Sequence, residues 1–152
     1  MLSGYKLEPT IVEKQELASV FIKSLEGLKL KAYECAKGEI SIGYGTRSYS
    51  GEKITIREAD KRFDKYLNKR VWHKVPESIS INQYAVYSSL IYNIPAWADN
   101  ILIKRNWFMR LFTRYDYVLD CKSILNYRKV DGKINQGIIN RRIKEYKLCV
   151  SN

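Results

Sequence analysis

The chain's 152 residues are 45% hydrophobic and 28% charged, enough for one domain with a real core and without a disorder signature. Twenty-seven Lys and Arg against sixteen Asp and Glu leave a net charge of +11, a field that draws polyanions of any kind and so selects none of them. No run of eighteen apolar residues crosses a bilayer and MLSGYKLEPT holds no signal-peptide core, so a soluble chain without a transmembrane segment, made in a cytoplasm, is expected.

Thr10 and Glu13 have the spacing of a capping box. Leu17, Val20, Phe21, Leu25 and Leu28 follow at helical intervals, which predicts a helix from about Ile11 to Leu25, ended by Gly27. Beyond it, Leu28, Leu30 and Ala32 alternate with Lys29, Lys31 and Tyr33. After Lys37-Gly38, Ile40, Ile42 and Tyr44 alternate with Ser41, Gly43 and Gly45. This is a β-hairpin, the only β element that the pattern predicts. Thr55 and Glu58 open a long amphipathic helix reaching about His73, with Ala59, Phe63, Tyr66 and Leu67 inward. Ser80 and Gln83 open a third helix, apolar on most sides and therefore central, which Pro95 stops. Three more helices are expected, from Asn100 to Phe112, Asp116 to Asn126 and Gly137 to Cys149. The class is α+β, mainly α.

Cys35, Cys121 and Cys149 are too few and too irregularly spaced for a disulfide framework or a zinc site. His73 has no neighbour with which to share a metal, so no metal is expected. At most one intramolecular bridge can form, and one from Cys35 to Cys121 or Cys149 would tie up that thiol until reduced.

Glu26 is the residue best placed for acid chemistry. At a helix end the negative pole of the dipole disfavours a carboxylate, and Leu25 and Leu28 beside it suggest partial burial, which acts in the same direction. A glycosidase pairs such an acid with a second group across the scissile bond. If Gly38 closes a three-residue loop, Cys35 pairs with Glu39 and Tyr33 with Ser41, so Cys35 and Ser41 share a face about 7 Å apart, able to hold a water. A two-residue turn puts them on opposite faces.

Glu26-Gly27-Leu28, eight residues between Glu26 and Cys35, five between Cys35 and Ser41, and then Ile42-Gly43-Tyr44-Gly45 resemble the phage-type lysozyme (endolysin) family, glycoside hydrolase family 24. The similarity continues through GEKITIREA, QYAVYSSLIYNI and GIINRRIKE, from about Glu13 to Leu148. It implies a lysozyme-like two-lobed domain over residues 1–152, with a small hairpin lobe at about 28–50, a long connecting helix and a helical lobe at about 75–152. It also implies a muramidase that cleaves the β-1,4 bond between N-acetylmuramic acid and N-acetylglucosamine in peptidoglycan, without cofactor, for host lysis. The chain would be a monomer made in the host cytoplasm and released through a holin to act in the periplasm or on the wall.

By that resemblance Glu26 is the general acid, Cys35 occupies the second catalytic position and Ser41 helps hold the attacking water. Tyr92 and Asn93 match positions lining the sugar cleft, Thr46 stands where a cleft histidine is usual, and Arg141 or Arg142 orients the acid. Pro95 replaces a usual Gly. Cys35 replaces the commoner Asp. An unperturbed thiol, with a pKa of ~8.5 against ~3.9 for Asp, is only about 3% ionised at neutral pH. Either Lys31 or Lys37 makes it a thiolate, with activity rising toward alkaline pH, or a neutral thiol positions water. The alternative is a catalytically impaired, lysozyme-like peptidoglycan-binding protein. A nucleic-acid-binding domain needs a concentrated basic face with interleaved aromatics, and only INRRIKEYK approaches one, so no nucleic-acid partner is expected. That basic, amphipathic helix also suits an anionic membrane surface.

Overall fold

The computed structural model describes residues 7–35, 38–112 and 115–151. Helix α1 (Ile11–Glu26) begins at the predicted capping box, with both the Thr10 and Glu13 side chains closing on backbone N–H groups. It ends one residue later than expected. Gly27, at φ +70°, turns the chain out while its N–H still reaches Lys23 O at 3.0 Å, so Glu26 is the last helical residue.

Strands β1 (Lys29–Glu34), β2 (Ile40–Gly43) and β3 (Thr46–Arg47) form an antiparallel sheet in that order. Tyr33 faces Ser41, and Cys35 N–H donates to Glu39 O at 2.8 Å, the register of the longer-loop alternative. Gly38 sits at φ +76°, while Ala36 and Lys37 lie outside the described residues. Lower in β1 the pairing partner changes: Ala32 N–H reaches Glu52 O and Ile54 N–H reaches Leu30 O. This splits β1 between two neighbours and accounts for the register shift between Lys29 and Tyr33.

Helix α2 (Ile56–Arg70) leaves the sheet, capped by Thr55, and gives way to a 3-10 turn at Trp72–Lys74. Helix α3 (Ile81–Asn93) is central: Tyr84 to Ile91 are all buried, and α1 packs along it. Ser80 caps it as predicted, but the Gln83 side chain does not complete the box. It accepts from Leu119 N–H at 3.0 Å instead.

The expected helices over 100–112 and 116–126 are not there. Pro95 stops α3 and opens the short α4 (Pro95–Ala98), as a residue with fixed φ and no N–H can. Then β4 (Leu102–Lys104) pairs with β5 (Tyr117–Leu119), bringing β-branched Ile103 and Val118 opposite one another. Between them Asn106 caps only one turn, α5 (Trp107–Arg110). Asp120 similarly caps a 3-10 stretch, Cys121–Asn126, so these short polar side chains start turns rather than extend helices. A further hairpin was missed: β6 (Lys129–Val130) and β7 (Lys133–Ile134) join through Asp131-Gly132, both at positive φ. Helix α6 (Gln136–Val150) closes the chain against α3 and the 121–126 turn. Its Cys149 is disulfide-bonded to Cys121, so Cys35 is the free thiol and the bridge considered from Cys35 does not form.

Candidate active site at the junction of helix, hairpin and last helix

Glu26 does not face bulk solvent. Its side chain is 17% exposed, and its Oε1 accepts from Arg141 Nη1 at 2.6 Å. The opposite flank is Gly45, at φ +86°, where a Cβ would lie 3.3 Å from Glu26 Oε2. Glycine satisfies both constraints, the left-handed backbone and the close carboxylate. The end of α1, the β2–β3 turn and α6 thus converge on one carboxyl group.

Behind it lies a buried polar network that sequence reasoning had not assembled. Glu145 is fully buried and takes hydrogen bonds from Ser89 Oγ at 2.6 Å, Arg141 Nε at 3.2 Å and Arg142 Nη1. Arg141 Nη2 also donates to Ser89 Oγ at 3.1 Å. Arg142, which is not a Glu26 partner, donates to Asn93 Oδ1 and, through Nε, to Tyr127 O at 3.0 Å. Two guanidinium groups and two carboxylates balance in charge, the condition for keeping such groups out of water. The signal was in the sequence: Glu145 lies four and three residues after Arg141 and Arg142, one helical turn away.

Tyr33 and Ser41 are directly opposed, and Cys35, one residue past the end of β1, continues the pairing through its N–H to Glu39 O. Ser41 is buried and Cys35 half-buried. Burial, followed by the nearby Glu26 and Cys35, pushes the Tyr33 phenol up, which places that ring within the influence of both groups. Lys29 Nζ lies over the ring at 3.9 Å. Tyr33 thus stands opposite Ser41 with a cation over its ring, a position the alternation pattern marks only as a pairing residue.

Tyr92 donates to Tyr44 O at 2.6 Å and its ring contacts Phe63 and Tyr66, tying α3 to the sheet turn and α2. Burial and then the Glu26 charge push its phenol far up. The Thr46 hydroxyl is buried and donates to Ile42 O at 3.0 Å, within the hairpin. Beyond Asn93 and Arg142, an open cavity of about 600 Å³ is walled by Pro95, Trp97 and Tyr127 among others. Beyond Tyr66, a second hollow is lined by Arg47, Arg70 and Lys74.

Residues 23–145 match the family model described as phage lysozyme. The chain belongs to the phage lysozyme family. An endolysin of Acyrthosiphon pisum secondary endosymbiont phage 1 is 37% identical over 151 residues, covering 90% of this chain and 97% of that one. An endolysin of Bacillus phage PZA is 30% identical over 139 residues, 84% of this chain but 51% of its own length. Among solved structures, an endolysin from Escherichia coli O157:H7 phage FAHEc1 superimposes with a TM-score of 0.65 at 25% identity, covering 89% of this chain and 91% of that one. Membership in the phage lysozyme family makes this chain a glycoside hydrolase that acts on peptidoglycan, with the family's α+β fold. No described helix is long and apolar enough to cross a membrane.

Proposed function

We propose that Glu26 is the general acid that cleaves the β-1,4 bond between N-acetylmuramic acid and N-acetylglucosamine. The observation that carries this reading is the Glu26–Arg141 contact at 2.6 Å, made where three elements meet beside Gly45. Arg141 holds the carboxyl in one orientation, and the proton passes from Glu26 to the glycosidic oxygen as the C–O bond breaks. Cys35 and Ser41, on the hairpin, hold the water whose oxygen bonds to the anomeric carbon; that water releases one proton to solvent, and Glu26 regains from solvent the proton it gave to the leaving oxygen. Tyr92 and Asn93 border the groove for the sugar chain, Thr46 keeps the hairpin in shape beside it, and Arg142 holds Asn93. Arg47, Arg70 and Lys74 give the groove a positive wall toward an anionic polymer.

On this reading residues 1–152 are one catalytic domain, with a hairpin lobe at about 28–50 and a helical lobe at about 75–152. The protein works as a monomer, is made in the host cytoplasm and reaches the wall from the periplasmic side after release by a holin. Cys35 supports a second reading, a wall-binding protein impaired in catalysis. Zymography of purified walls separates them. Clearing by the wild type and none by Glu26→Gln supports the enzyme; no clearing by either leaves the binding protein.

A further inference from the structure

The β4–β5 arm ends in an apolar cluster that the fold does not use. Its base is anchored by Ile101 and Leu119, both buried, and by the Gln83–Leu119 hydrogen bond. From residue 103 to residue 118 no described side chain is buried. In that stretch Trp107, Phe108, Met109, Leu111 and Phe112 are 45–74% exposed. Their ring contacts are with one another: Trp107 with Phe108 at 6.0 Å and Phe108 with Phe112 at 5.3 Å. Most other exposed large apolar residues are scattered along the chain, and scattered ones need no explanation, whereas a contiguous aromatic patch does.

The charge on the arm says what covers it. Between residues 102 and 119 the sequence has Lys104, Arg105, Arg110 and Arg114 against the single carboxylate of Asp116. Arg110 is paired with Asp116 at 2.7 Å, and four cations against one carboxylate leave the segment a formal charge of +3. Exposed aromatic rings on a segment of positive net charge match the interface of an anionic bilayer, where rings settle at the headgroup level and cations meet lipid phosphates. A sugar polymer meets aromatic rings one pyranose face at a time and buries no cluster of five mixed aromatic and aliphatic side chains, and a second copy would bring a second set of like charges against the first.

We infer that the tip of the β4–β5 arm is a peripheral membrane anchor for the surface of a bilayer rich in acidic phospholipid. It is separate from the catalytic centre. Trp107, Phe108, Leu111 and Phe112 enter the interface, and the net positive charge of the segment draws it to the headgroups. The acid site and hairpin lobe stay outside the lipid.

The test uses the full-length protein with phosphatidylethanolamine–phosphatidylglycerol vesicles and with phosphatidylcholine vesicles. The expected result is co-sedimentation with the first, weaker with the second and reduced by salt. In the Trp107→Ser, Phe112→Ser double variant, partitioning falls about tenfold or more, while hydrolysis of purified walls is unchanged. Ile134→Ser, which removes an exposed apolar residue elsewhere, leaves partitioning intact. Bromine-labelled acyl chains quench wild-type emission, and the quenched part disappears in Trp107→Phe, a reading independent of how the double variant folds. The inference is overturned by a wild type that binds neither vesicle, or by a double variant that binds as the wild type does. It is also overturned if light scattering shows that the double variant converts a dimer to a monomer, or if the variant loses pelleting with purified peptidoglycan instead of with vesicles.

Discussion

A Cβ at position 45 would lie 3.3 Å from Glu26 Oε2, so any side chain there presses the carboxylate to give way by a few tenths of an ångström. The same glycine holds φ at +86°, which L side chains rarely adopt. Gly45→Ala is therefore expected to lose activity twice over, by moving the acid and by straining the β2–β3 turn. The strain costs on the order of 1–3 kcal/mol. Wall-turbidity kinetics beside thermal unfolding check this. Full activity in a destabilised variant would mean that the carboxyl does not need its present position.

Arg141 is expected to act through position rather than contact with the sugar. Arg141→Lys keeps the charge but loses the forked geometry that joins Glu26, Glu145 and Ser89, so kcat falls while KM for wall fragments changes little. Arg141→Ala also takes one partner from the buried Glu145, which keeps Arg142 and Ser89, and destabilises the fold by about 1–3 kcal/mol. Steady-state kinetics on soluble fragments and chemical denaturation separate the two effects. A KM change without a kcat change would refute the positioning role.

Cys35 gives the sharpest contrast among single substitutions. Iodoacetamide is expected to abolish activity, since Cys121 and Cys149 are already bonded to each other and Cys35 is the remaining thiol. Cys35→Asp, restoring the commoner family residue, should retain or raise turbidity loss, and Cys35→Ala should lower it. An alkylated protein as active as the untreated one would remove Cys35 from the water-holding role.

Reduction of the Cys121–Cys149 bridge should lower stability without touching that thiol. The two residues are 28 apart in sequence, and closing a loop of that length corresponds to about 3–4 kcal/mol in the chain-entropy account. Denaturation midpoints of wild type and Cys121→Ser, Cys149→Ser measure it. Equal midpoints would show that the bridge adds nothing beyond the packing of α6.

Acid should loosen the hairpin first. Hydrogen bonds from Arg62, then from Ser48, hold the Glu52 carboxyl below its ordinary value of 4.5, and Glu52 O takes the Ala32 N–H of β1. A carboxyl held low in the folded state contributes stability above its ordinary value and loses it as pH falls through the folded one. Glu52→Gln is thus expected to be less stable near neutrality and to show a shallower decline below pH 4.5. Melting temperatures across an acid series read this directly, and parallel curves for the two proteins would exclude the mechanism.

Much of the part that carries α1 and the hairpin was legible because its signals are local. The Thr10–Glu13 box, the Gly27 stop and the alternation after Leu28 each act within a few residues, and the structure has all three. Local reasoning failed over 100–126 because apolar spacing alone cannot distinguish a helix from a paired arm, and the deciding contact there is between Ile103 and Val118. Asp131-Gly132 was a readable hairpin signal that went unread. The Ser89–Glu145–Arg141 network was hidden for another reason: its members lie on two helices far apart in sequence, and only packing joins them.

The acid and its guanidinium partner are 115 positions apart along the chain. A ribosome must therefore deliver α6 before this pair can form, and a fragment that stops short of that helix has Glu26 without its guanidinium partner.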